Sequence, residues 1–186
     1  MDLDVLIIKN AAKGDIASFE RIYKALSPYV YTLVYAMMGN EPDSADVTQD
    51  VFLSIHKNLR YFNFRSNLKT WAHRIAVNTA LNALAKRNRS GRRTVELDAA
   101  FDISSNELPA EETIAKKEAG EQVYRMLSAL SAEQRACVVL RDMQGLSYKE
   151  IALATESNIN TVRTRLKRAR ETLVELKRKG VIGYEV

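Results

Sequence analysis

Leu146–Arg170 reads L-S-Y-K-E-I-A-L-A-T-E-S-N-I-N-T-V-R-T-R-L-K-R-A-R, the pattern of two helices joined by a short turn. Ser147 and Glu150 stand in S-x-x-E spacing, which satisfies two of the free N–H groups at a helix start. The first helix is short, carrying Ile151, Ala152 and Ala154 before the polar break Thr155-Glu156-Ser157-Asn158. Asn158 is a side-chain cap for the second helix. There Val162, Leu166, Ala169, Leu173 and Leu176 recur at four-three-four-three spacing and predict one buried stripe. Thr161, Arg163, Thr164, Lys167, Arg168 and Arg170 are left for much of the remaining surface. A short helix, a tight turn and a cationic second helix make a helix-turn-helix, whose second helix fits a DNA major groove.

Outward from this motif the chain continues to read as helix. Its 186 residues carry 28 Lys+Arg against 23 Asp+Glu, a formal charge of +5 that favours a polyanionic partner. The single cysteine, Cys137, excludes an internal disulfide and a multi-cysteine zinc site, and its apolar neighbours predict a buried thiol. The acidic start Met1-Asp2-Leu3-Asp4 is not that of a signal peptide. No apolar run approaches the roughly 18 residues that cross a bilayer. The expectation is a cytoplasmic protein without membrane insertion, metal or cofactor.

A first helix is expected over Leu3–Ala12 and a second capped by Asp15, with Ile16, Phe19, Ile22, Tyr23 and Leu26 on one face. Pro28 is read as opening a third, which ends at Gly39. Pro42 and Asp43 open a fourth with Val47, Val51, Ile55 and Leu59 inward. Asp43 and Asp46 suit the helix dipole, whereas Gln49 and Asp50 sit further along than capping explains. Tyr61–Asn67 is an aromatic, amide-rich loop leading into a long helix. On that helix Trp71, Arg74, Asn78 and Asn82 share a face, a poor core but a plausible reader of unstacked bases. From Val51 through Val95 there is no Asp or Glu, while ten Lys and Arg occur, Arg65 and Lys69 among them. The sign then inverts: 94–109 is acidic, aperiodic and linker-like, either solvating itself or imitating nucleic acid. Helices over Ile114–Leu130 and Ala132–Met143 then precede the opening motif. The expected fold is all-α: two small helical domains, 1–93 and 110–186, joined by a flexible linker.

Four stretches in this order resemble the extracytoplasmic-function (ECF) sigma factors of the sigma-70 family. They are G-D-I-A-S-F-E-R-I-Y, A-D-V-T-Q-D-V-F-L, R-S-N-L-K-T-W-A-H-R-I-A-V-N-T-A-L-N, and L-S-Y-K-E-I-A with T-V-R-T-R-L-K-R-A-R. The resemblance, from about Ala12 to Leu173, implies a non-enzymatic protein that brings bacterial core RNA polymerase to promoter DNA. Residues 1–93 would be region 2 and 110–186 region 4. Asp46, Gln49, Asp50 and Phe52 would dock on the polymerase. Arg65, Asn67, Lys69, Trp71, Arg74, Asn78 and Asn82 would meet the −10 element, the Tyr61–Lys69 loop holding a flipped base. Asn160, Thr161, Arg163, Thr164, Lys167 and Arg168 would read the −35 element. An anti-sigma factor is a further partner the resemblance implies. Glu156 and Asn160 stand where the family usually has Gly, and Asn158 where it often has Pro or Ser. If Glu156 needs positive φ, the departure costs about 1 kcal/mol. A plain helix-turn-helix regulator shares the final motif but leaves the acid-free segment with its paired asparagines unexplained. A nuclease would require a carboxylate cluster or P-loop that this chain lacks.

Overall fold

The computed structural model describes residues 3–89 and 123–179, and every regular element among them is helical. The first module is built from α1 (Val5–Ala12), α2 (Ile16–Met38), α3 (Glu41–Asn58), a 3₁₀ turn (Leu59–Tyr61) and α4 (Leu68–Arg89). The second comprises a helical stretch at 123–128, α5 (Ala132–Val138), a π-helical turn (Val139–Met143), α6 (Tyr148–Ala154) and α7 (Ile159–Arg178).

The helix starts follow the local chemistry. Asp4 accepts from Leu6 N, Asp15 from Ser18 N at 2.8 Å, and Asn158 from Asn160 N at 2.8 Å. Both serine capping boxes close reciprocally, Ser131 with Gln134 and Ser147 with Glu150. α3 starts at Glu41, and its cap is Asn40, which accepts from Asp43 N at 2.9 Å. Pro then occupies the first turn, where its missing N–H costs nothing.

Pro28 does not open a new helix; α2 runs through it. An interior proline costs a helix about 3 kcal/mol. Against that, Ile22, Leu26, Val30, Leu33 and Met37 form one unbroken buried stripe across the proline. Each such side chain contributes about 1.5–3 kcal/mol when buried, so continuity wins. Pro28 itself faces solvent, and its carbonyl accepts from Thr32 Oγ1 at 2.8 Å. The expected inner face of α2 is also corrected: Ile16 is 81% exposed and Tyr23 44%, because the buried side is centred on Ile22 and Leu26.

Likewise the helix expected over Ala132–Met143 is α-helical only to Val138, then widens into a π turn whose Gln144 N donates to Val139 O. Cys137 is fully buried there, and burial pushes its thiol pKa up. In α7 Val162, Leu166 and Ala169 are buried, while Leu173 and Leu176 are half-buried. The expected linker 94–109, most of the helix expected over Ile114–Leu130, and Val181–Val186 lie outside the described residues.

The two modules meet. α6 lies against α4, and α5 against the C-terminal end of α2. Arg135 of α5 is buried and donates to Met37 O at 2.6 Å, as well as to Leu127 O and Ser128 O. Met37 belongs to the last turn of α2, where carbonyls lack helical partners and the dipole favours a cation. Next to it Gly39 ends α2 with φ 79°, and a Cβ there would sit 1.7 Å from Cε2 of Tyr124. Glycine is required both for the left-handed cap and for the approach of that ring.

Candidate nucleic-acid interface

α4 carries the first candidate surface. Asn67 caps it, its Oδ1 accepting from Thr70 N at 2.6 Å. Leu68, Ala72, Ala76, Val77 and Ala80 bury its inner side. The other side contributes Trp71, Arg74, Asn78 and Asn82 to one cleft of about 420 Å³. Tyr61, Asn58, Ser54, Ile75, Thr79 and Glu156 complete its walls. Trp71 is half-buried, its ring 5.3 Å from that of Phe62, which holds it at a set angle. Tyr61 is 68% exposed with Arg60 stacked over its ring. The cleft therefore offers flat aromatic faces, an exposed guanidinium and amides, the groups that hold unstacked bases.

Three residues expected at this surface stand apart from it. Asn67 uses its acceptor as a helix cap. Lys69 reaches the other way, its ammonium 3.9 Å from the centroid of Tyr29 on α2. Arg65 is exposed in the loop, outside the cleft. Conversely, Asn58, Thr79 and Glu156 were not expected in the cleft. The first two sit at its rim through helix geometry, and Glu156 arrives from the second module, 78 residues on.

α7 carries the second surface. Asn160, Arg163, Thr164, Lys167 and Arg168 are exposed and Thr161 is half-buried. Arg163 Nη1 donates to Asn160 Oδ1 at 2.9 Å, and Thr164 Oγ1 to the Asn160 carbonyl, so the first turns present an organised polar face. Lys167 stands 3.9 Å from Glu171, a loose surface pair that leaves the ammonium available.

The turn before α7 bears the strain anticipated for it. Glu156 adopts φ 48°. Ser157 N donates to Ala152 O at 2.9 Å and Glu156 N points to Leu153 O, the two bonds of a Schellman motif. Glycine is usual at that position, and a side chain there costs about 1–2 kcal/mol.

α3 displays Asp46, Gln49 and Asp50 on its exposed side. Phe52 is buried, its ring 4.5 Å from Tyr23, and it forms the floor of an apolar groove instead of projecting. Gln49, Phe19, Tyr23 and the 61% exposed Leu53 line that groove. Leu53 closes the stretch A-D-V-T-Q-D-V-F-L but was assigned no role, although it stands one turn after Gln49 on the same face. Asp43 is committed elsewhere, to Asn40 and, at 3.0 Å, to Arg87.

Residues 22–90 match the sigma-70 region 2 family and residues 120–173 the sigma-70 region 4 family. The ECF RNA polymerase sigma-E factor of Escherichia coli K12 is 33% identical over 178 residues, covering 91% of this chain and 92% of the relative. The chain belongs to the ECF sigma factors of the sigma-70 family. The SigE factor of Mycolicibacterium smegmatis is 32% identical over 87% of this chain, which spans 63% of that longer protein. The fold of this sigma factor also recurs in the RpoE–NepR complex of Bartonella quintana. That likeness has a TM-score of 0.67 and 23% identity, covering 88% of this chain and 98% of that one. CnrH, in complex with the cytosolic domain of CnrY, gives 0.65 and 20%, covering 94% and 96%. ECF sigma factors direct promoter-specific initiation by RNA polymerase and are not enzymes. Among the described residues no helix is long and apolar enough to cross a membrane.

Proposed function

We propose that this sigma factor reads −35 duplex through α7, captures the opened −10 strand in the α4 cleft, and docks on core RNA polymerase through α3. Asn160, Thr161, Arg163, Thr164, Lys167 and Arg168 make the upstream contacts. Trp71, Arg74, Asn78 and Asn82 hold the melted strand, with Arg65 on its approach; Asn67 and Lys69 act indirectly, by setting the loop and α4. Asp46, Gln49 and Asp50 touch the polymerase over a floor supplied by Phe52. The module boundaries are 1–93 and 110–186, with 94–109 between them. The protein works in the cytoplasm, and an anti-sigma factor is its restraining partner.

The observation that carries this reading is the cleft that gathers an aromatic, a guanidinium and two amides on one face of α4. The basic face of α7 supports the other half. Holding a base out of its stack costs a few kcal/mol. A strand site tethered to polymerase and to upstream duplex gains effective concentration that a free domain lacks. The test is run-off transcription of host genomic DNA by core polymerase with and without the protein, the transcripts being sequenced. A set of new start sites sharing −35 and −10 motifs is expected; an unchanged transcript population would overturn the reading.

A further inference from the structure

The second module supplies one wall of the cleft on α4. Asn78 Nδ2 donates to Glu156 Oε1 at 3.2 Å, across 78 residues, so the turn of the second module lies over the proposed strand site of the first. Glu156 is brought there by a left-handed backbone conformation that disfavours a side chain. Nothing within the helix-turn-helix calls for a carboxylate at this position, since both capping bonds of the turn are main-chain. Three further contacts hold the same arrangement. Arg135 is bonded to Met37 O, the Tyr124 ring covers Gly39, and α6 lies along α4.

We propose that the free protein rests in this closed form, with Glu156 as an internal plug of the single-strand cleft that must leave before DNA can enter. The carboxylate takes up the amide donor that a base would use. It also sets a negative charge where the phosphates of a strand would run, so strand and plug exclude one another. A strand bound to a protein that is only fractionally open has its affinity lowered by that fraction. Parting of the modules on the polymerase releases the block and couples strand capture to docking. The proposal rests on the reading of the α4 cleft as the −10 site.

The test is fluorescence anisotropy of a short, fluorescein-labelled, adenine- and thymine-rich single-stranded DNA with the full-length protein. Glu156→Gly removes the plug and relieves the strained turn, so the variant folds at least as well as the parent. It is expected to bind about threefold to tenfold more tightly, the range of one net hydrogen bond at an exposed site. Glu20→Gln, an equal change of charge at an exposed position of α2 outside the cleft, is expected to leave binding as it was. Equal tightening by both variants would reduce the effect to net charge and overturn the plug. Wild-type affinity in Glu156→Gly, with weaker binding in Asn78→Ala, would remove the plug and leave the strand site standing. Unaltered binding when Asn78→Ala is added to Glu156→Gly would remove the strand site and the plug with it. As a second measurement, nitroxides at Lys57→Cys and Arg178→Cys, in a Cys137→Ser background, are expected to give one narrow distance in the free protein. That distance should lengthen when core polymerase is added; a broad distribution in the free protein would contradict the closed resting form.

Discussion

His73 makes a pH dependence calculable. It is 2% exposed on α4, and among the described residues neither ring nitrogen has a hydrogen-bond partner. Burial lowers its pKa from 6.5 to about 4, helped by Lys69 on the same helix and opposed by Glu150 of α6. The imidazole is therefore neutral in the folded protein and takes a proton on unfolding as the pH falls. Its contribution is complete above the unfolded value of 6.5, declines as the pH drops below it, and levels off below about 4. At pH 5 the unfolded chain gains roughly thirtyfold over the folded one, about 2 kcal/mol, rising to about 3 kcal/mol at the acid limit. Asp15 and Glu150, whose pKa values are lowered from 3.8 and 4.5, lose stability at lower pH and do not dominate between 6.5 and 5. Urea unfolding at pH 7.5 and pH 5 measures the loss in the wild type and in His73→Leu, which keeps the volume and removes the titration. The wild type should lose about 2 kcal/mol more than the variant over that interval. Equal losses in the two proteins would refute a buried neutral His73.

Asp50→Ala removes an exposed carboxylate from α3 without touching the core, so it should weaken binding to core polymerase while thermal stability stays within about 0.5 kcal/mol. Co-purification with polymerase at wild-type yield would take Asp50 off the docking surface. Arg135→Met keeps the aliphatic stem but leaves Met37 O without its donor, and should cost about 1.5–3 kcal/mol in urea unfolding. A change under 0.5 kcal/mol would mean that water replaces the guanidinium. Lys167→Ala should weaken −35 duplex binding and flatten its salt dependence by about one counterion. An unaltered salt slope would show that Lys167 does not meet a phosphate.

Much of the fold was legible because its signals are local. The capping boxes at Ser131 and Ser147, the caps Asp15 and Asn158, and the stripe Val162, Leu166 and Ala169 each depend on residues a turn or two away. The helix face of Trp71, Arg74, Asn78 and Asn82 was legible for the same reason, since 100° per residue suffices to gather it. Pro28 misled because a local breaker was weighed without the core that α2 spans. Asn67 and Lys69 fall in a cationic, amide-rich run, and composition does not separate a cap or a ring contact from a DNA ligand. The closed arrangement was the least legible. Arg135 resembles any surface cation, and Glu156 reads as a turn residue in an unusual place. Their partners, Met37 and Asn78, lie 98 and 78 residues away. Pairings at that separation leave no periodicity to read.

A paired footprint on one promoter, with core polymerase present, tests the proposed division of labour between α4 and α7. Asn78→Ala should keep DNase I protection over the −35 element and lose permanganate reactivity at −10. Arg163→Ala should weaken the −35 protection, by about 1–3 kcal/mol if it pairs bidentately with a base. Normal −10 melting by Asn78→Ala, together with an undisturbed −35 footprint in Arg163→Ala, would contradict the assignment of both surfaces.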